Sequence, residues 1–141
     1  MKYFIICIFS FFIGFYSYSE EHVIDMLNKR DDGAKMVYSL DVANIAVGDT
    51  IKWLPTNKGH NVEFVAGPDG ATFPKKSGLN KEVSIKFDTP GVYLYVCTPH
   101  KVMGMIALVV VGGDTSNKDA IDKVKMLGRG KKKLASLIDQ I

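Results

Sequence analysis

The stretch VYLYVCTPHKVMGMIALVVV, residues 92–111, carries both a folding signal and a chemical one. Residues 92–97 alternate, so Tyr93, Tyr95 and Cys97 share one face of a strand. Residues 105–111 are apolar and rich in β-branched side chains, the pattern of a strand buried on both sides. Between them Thr98-Pro99 turns the chain, and Cys97, His100 and Met105 fall within nine residues, so one loop can hold all three. Far upstream, His60 stands between Gly59 and Asn61 and has to come from a separate strand. One thiolate, two imidazoles and a thioether are the donor set of a trigonal His₂Cys copper site with a long axial methionine. A soft, closed site of this kind moves single electrons and does not bind substrates.

Each of these residues alone has a plainer reading. A single Cys97 is most often an inert buried thiol. His100 alone reads as a surface histidine, Met105 as core and His60 as an exposed loop residue. The order His, Cys, His, Met at these spacings is what joins them. Zinc is the rival metal, but it favours more thiolates or a third nitrogen, and a thioether serves it poorly. A catalytic Cys–His pair is the rival chemistry. A histidine three residues on, across a proline, is badly placed as a base, and no oxyanion feature or second acid accompanies it.

Working outward, the body reads as short strands. Residues 42–54 contain a turn at Val47-Gly48-Asp49, followed by alternation through Trp53. Residues 62–66 end at Gly67-Pro68-Asp69-Gly70. Residues 81–87 place Val83, Ile85 and Phe87 on one face before the turn Asp88-Thr89-Pro90-Gly91, and residues 22–27 and 35–40 are weaker strand signals. Strands at this regular spacing argue for an antiparallel sandwich or barrel. The tail changes period. Residues 119–127 place Ala120, Ile121, Val124 and Leu127 on one helical face. Gly128-Arg129-Gly130 breaks it, and residues 131–141 place Leu134, Leu137, Ile138 and Ile141 on another. Helices this short are marginal alone and are expected to pack back onto the sandwich.

The ends and the charge bound the setting. Lys2 is the only charge in the first nineteen residues, residues 3–16 are almost continuously apolar, and Ser17-Tyr18-Ser19 offers small residues where a leader peptidase cuts. This predicts a signal peptide over residues 1–19, cleaved after Ser19, since the apolar run is shorter than the ~20 residues of a spanning helix. The processed protein then has no membrane segment. Cys7 leaves with the leader, Cys97 has no partner, and a bound metal is one way to protect a lone thiol in an oxidising compartment. Residues 20–113 carry ten Lys/Arg against eleven Asp/Glu, and residues 114–141 seven against four. A near-neutral body with a mildly basic tail is not the footprint of a nucleic-acid binder, and Lys131-Lys132-Lys133 reads as a solvated helix face.

The chain resembles the pseudoazurins, members of the cupredoxin (type 1 blue copper) family. The resemblance rests on Met26-Leu27-Asn28-Lys29, Gly48-Asp49-Thr50, Lys58-Gly59-His60-Asn61-Val62-Glu63, Pro90-Gly91-Val92-Tyr93, Cys97-Thr98-Pro99-His100 and Met103-Gly104-Met105-Ile106-Ala107, and it spans residues 20–141. It implies an eight-stranded Greek-key β-sandwich over residues 20–113, with a two-helix C-terminal extension of the same domain over residues 114–141. That tail separates pseudoazurins from plastocyanins and amicyanins. The resemblance implies one copper per chain, held by His60, Cys97, His100 and Met105. Loop length favours Met105 over Met103 as the axial ligand.

It further implies that the Asn61 amide donates to the Cys97 sulfur while its side chain ties the two ligand loops, Thr98 and Pro99 lying in the second of them. The Gly59 carbonyl is implied on the other axial side. The implied role is that of a periplasmic, monomeric electron carrier, not an enzyme, meeting partners such as nitrite reductase or a c-type cytochrome only briefly. Pro99, Met103 and Met36 then form an apolar docking patch around the His100 edge, with Lys29, Lys58 and Lys101 about it, suited to an acidic partner. Val96 departs from the lysine that pseudoazurins often carry, which weakens that basic ring. A copper carrier or storage protein is the alternative. A copper enzyme needs a second copper site, and beyond His22, His60 and His100 the chain has no histidine to build one.

Overall fold

The computed structural model describes residues 18–74 and 76–141. The leader read over residues 1–19, with Cys7, therefore lies outside the described residues except for Tyr18 and Ser19. Eight strands follow: β1 (Glu21–Lys29), β2 (Lys35–Tyr38), β3 (Val42–Ile45), β4 (Thr50–Leu54), β5 (Glu63–Ala66), β6 (Val83–Lys86), β7 (Gly91–Val96) and β8 (Ile106–Val111). A 3₁₀ turn at Lys101–Met103 separates β7 from β8, and the helices α1 (Lys118–Asp122) and α2 (Arg129–Ile138) close the chain. One sheet runs β2-β1-β4-β6 and the other β3-β8-β7-β5.

The sandwich is mixed rather than antiparallel. β1 pairs with β4 in parallel, His22 beside Ile51 and Ile24 beside Trp53, and β3 pairs with β8 in parallel, Val42 beside Leu108. The physical reason is the route of the chain. It leaves the first sheet after β2, forms β3 in the second, and returns on the far side of β1 running the same way. Local alternation carries no information about that crossing.

The second sheet is covered on both faces, and this accounts for the complete burial of β7 and β8. Towards the first sheet it presents Tyr93, Tyr95, Cys97, Ala107, Val109 and Val111, which pack with Ile24, Met26, Ile51, Trp53 and Phe64. Away from it, Val92, Leu94, Val96, Ile106, Leu108 and Val110 pack against Ile121, Leu134, Leu137 and Ile138 of the two helices. Each of those helix side chains contributes about 1.5–3 kcal/mol on burial, which offsets what a ten-residue helix such as α2 lacks in isolation.

The tail departs from its periodicity in two places. α1 stops at Asp122, so Leu127 is not on its face and is 74% exposed. The break is at Gly128 alone, where φ is 58°, and α2 already starts at Arg129 with Gly130 buried inside it. Nor is the lysine run wholly solvated: Lys133 pairs with Asp41, which also receives Arg30 Nη1 at 3.0 Å. This bridge ties α2 to the segment between β2 and β3. Among the described residues no helix is long and apolar enough to cross a membrane.

Candidate metal centre

β7 ends at Val96, and Cys97 continues its inward-facing alternation into the inter-sheet core, where it is fully buried. Its N–H donates to Met105 O at 2.9 Å, so the two ends of the loop are held together like a continued rung of the β7–β8 ladder. Within the loop His100 N donates to Cys97 O at 3.0 Å, and His100 O receives both Met103 N at 2.9 Å and Met105 N at 3.2 Å. This tight turn brings His100 back over Cys97, with Nδ1 3.4 Å from Sγ. His60, just ahead of β5, reaches the same sulfur with its Nδ1 at 3.7 Å. The three donor atoms of His60, Cys97 and His100 lie within 4.8 Å of one another, and the two imidazole rings are 4.9 Å apart.

Burial divides the donors. His60, Cys97 and Met105 have no exposed surface, whereas His100 is half-buried and the neighbouring Pro99 is exposed. Burial pushes the Cys97 thiol up, against which the backbone amides of Asn61 and His100 act as donors favouring the thiolate. Burial, and then the neighbouring His100, hold His60 below the ordinary histidine value, which favours the neutral imidazole a metal needs. Met105 belongs to the same core cluster as Cys97, while Met103 is 46% exposed. Of the two methionines only Met105 is therefore enclosed with the other donors.

Hydrogen bonds tie the segments around the donors together. Asn61 spans the two loops: its Oδ1 accepts from Thr98 N at 2.8 Å, and its Nδ2 donates to Thr98 Oγ1 at 2.9 Å and to Ser77 O at 3.2 Å. Thr98 Oγ1 in turn donates its O–H to Glu63 Oε2 at 2.8 Å. Gly59 sits beside His100, an ideal Cβ on it lying 4.0 Å from Cε1. Four residues escaped the sequence reading. Asn28 Oδ1 lies 2.8 Å from His60 Nε2, and an Nε2–H donated there leaves Nδ1 free to face the sulfur. Tyr38 O–H donates to Asn61 O at 2.8 Å, Ser77 O takes the Asn61 amide, and Asn80 Oδ1 accepts from Gly59 N at 2.6 Å. Asn28 stands in the Met-Leu-Asn-Lys motif, which marks no role for it, and the other three lie outside every quoted motif and leave no signal without the fold.

The residues read as a docking patch fare unevenly. Pro99 and Met103 are exposed beside His100, and Lys29 and Lys58 are exposed. Met36 is half-buried against the inter-sheet core at a left-handed φ of 50°, and Lys101 is half-buried within the 3₁₀ turn. Val96 is wholly enclosed by the helix-side core, so it belongs to packing and not to the surface. His22 is not part of the centre: its Nε2 lies 2.9 Å from Asp49 Oδ2, at the opposite end of β1 from Asn28.

The donor set is two imidazoles, a thiolate held by backbone donors and an enclosed thioether, and that chemistry fits copper. Comparison with known proteins agrees. The profile of the family described as copper binding proteins, plastocyanin/azurin family, matches residues 24–112. A pseudoazurin of Methylorubrum extorquens is 42% identical over 125 residues, covering 87% of this chain and 83% of that protein. The crystal structure of pseudoazurin from Methylobacterium extorquens superposes with a TM-score of 0.78 at 43% identity, covering 85% of this chain and 98% of that one. Native pseudoazurin from Hyphomicrobium denitrificans superposes at 0.79 with 40% identity, covering 86% and 98%.

Proposed function

This chain belongs to the plastocyanin/azurin family of copper-binding proteins and, within it, to the pseudoazurins, and we propose that His60, Cys97, His100 and Met105 hold its single copper while it carries electrons between proteins of the periplasm. As a blue copper protein of this family it transfers electrons and is not an enzyme. The observation that supports the ligand set is the approach of His60 Nδ1 and His100 Nδ1 to Cys97 Sγ, at 3.7 and 3.4 Å, beside an enclosed Met105.

Copper bound there supplies a reversible one-electron couple. The chain's own residues do the rest. Cys97 offers the thiolate, in line with β7 and steadied by two backbone donors. His60, locked by Asn28, keeps a fixed orientation deep in the fold. His100 offers a ring edge nearer the surface, through which an electron enters or leaves. Pro99 and Met103 give that edge an apolar border, and Lys29 and Lys58 give its surroundings positive charge. This suits brief docking on an acidic redox partner such as a nitrite reductase or a c-type cytochrome, while the chain itself stays monomeric. Export follows from the leader, cleaved after Ser19.

The test is the visible spectrum of the processed protein with Cu(II) and then with ascorbate. An intense band that bleaches on reduction and returns on reoxidation is the expected result. Weak d–d absorption alone, or no stable uptake, overturns the ligand set and turns attention to copper carriage.

A further inference from the structure

We propose that Gly128 and Gly130 are positioning residues for the ligand loop: by letting α2 press directly on the loop's backbone, they help set the reduction potential at the metal centre. The inference rests on the ligand set proposed above and adds to it a part played by the C-terminal helix.

The loop carrying His100 turns through Lys101–Met103, and its outer side faces the start of α2. A Cβ placed on Gly130 lies 2.6 Å from Lys101 O; one on Gly128 lies 2.7 Å from Val102 O and 2.8 Å from Val102 Cγ1. Real carbon contacts do not reach such separations, and two of the three neighbours are backbone oxygens that cannot swing aside. A methyl group at either position therefore displaces the helix or the loop. In the reverse direction the fit is ordinary, a Cβ on Gly104 meeting Arg129 Cβ at 3.6 Å.

Gly128 has a left-handed φ of 58° that by itself favours glycine. Gly130 has no such need. It sits buried inside α2, where glycine is the poorest of the ordinary helix formers, so close approach is what accounts for it.

The pressed carbonyls lead directly to the donors. Lys101 O receives Gly104 N at 3.1 Å, His100 O receives Met103 N and Met105 N, and Met105 O receives Cys97 N. A shift of Lys101 O thus moves the turn that spaces His100 from Met105. Potentials of such centres respond to the axial ligand and to the groups around the sulfur.

The experiment compares Gly130→Ala with Leu137→Ala, which empties a fully buried position further along the same helix. Reduction potential and visible spectrum are read on the copper-loaded proteins. Backbone amide NMR shifts of Thr98 and of residues 100–105 are read on the copper-free proteins. The expected result is a shifted potential and moved loop amides in Gly130→Ala, while Leu137→Ala loses thermal stability and keeps both at wild-type values. Wild-type potential and loop amides in Gly130→Ala, or equal shifts in the two variants, overturn the proposal. If Gly130→Ala does not fold, Gly128→Ala is judged by the same readings. Failure of the wild-type protein to take up copper counts against the ligand set alone, because the copper-free amide shifts still decide whether the helix positions the loop.

Discussion

The two cores of this protein share the strands β7 and β8 and are built from different materials. On the inter-sheet side the packing is aromatic: Trp53 meets Tyr95 edge-on at 5.3 Å, Tyr38 lies 4.7 Å from Tyr95, and Phe64, Phe87 and Tyr93 extend the cluster. On the helix side every fully packed residue is Val, Leu or Ile. Cys97 and Met105 belong to the aromatic side, and the helix-side core contains none of the four donors. Rigid rings with preferred edge-to-face geometry make a wall that resists small displacements, which a metal site needs. An aliphatic layer tolerates substitution of similar volume and serves to hold the helices down. One face of the sheet therefore carries the chemistry, and the other supplies support.

This contrast can be broken or sharpened by experiment. The largest effect belongs to Cys97→Ser, which keeps the fold and removes the thiolate. The intense charge-transfer absorption of the copper-loaded protein is expected to vanish entirely, and its survival in the visible spectrum sinks the assignment. Next comes Trp53→Ala, which hollows the aromatic side and is expected to cost about 4 kcal/mol in denaturant unfolding, with a disturbed copper spectrum in the protein that remains folded. Leu137→Ala on the aliphatic side is expected to cost about 3 kcal/mol and leave the spectrum as it was. If both variants, or neither, perturb the spectrum, the division of labour between the two cores fails.

Smaller effects lie at the two ends of β1. Met105→Gln, near the end that carries Asn28, exchanges a soft thioether for a harder oxygen donor that favours Cu(II), so voltammetry is expected to give a lower potential with the band retained. An unchanged potential points instead to Met103. At the other end Asp49 accepts from Glu20 N and Ala46 N, each at 2.9 Å, and meets His22. The Glu20 amide first, and then His22, hold its carboxyl below the usual range. A depressed carboxylate stabilises the fold at pH values above its unfolded pKa, and that contribution is lost as pH falls through the folded one. Urea midpoints are therefore expected to be level from pH 7 to about 5 and to drop below about pH 4. Asp49→Asn is expected to start lower and fall less steeply over that range. Parallel curves for the two proteins remove Asp49 from the account.

What could be read from residues alone follows the range of the interactions. The unbroken apolar run of β8 and the alternation of β7 report directly on faces buried within a few residues of chain, and both are found where expected. The donor spacing around Cys97 was likewise a local fact. The parallel pairs β1–β4 and β3–β8 were not visible, because strand direction across a sheet is decided by how the chain crosses between layers. Residues 119–127 satisfied a helical period, but the chain leaves the helix after Asp122 and turns Leu127 outward. Gly130 read as a helix breaker and is instead a close-contact residue. Asn28 carries no metal-binding signature at all, since its contribution is one hydrogen bond to His60.

Asn61 has a further consequence, which concerns conformational entropy. It joins segments 37 positions apart in the chain, a separation over which loop closure is costly. The closure itself is carried by the β5–β7 ladder, where Glu63 already stands opposite Val96. The Asn61 side chain, accepting from Thr98 N and donating to Thr98 Oγ1, acts as one more peptide-like rung beyond the end of that ladder. Its task is thus to narrow the spread of orientations open to the two ligand loops once the sheet has made them neighbours, and its loss should widen the distribution of site geometries while leaving the average fold in place.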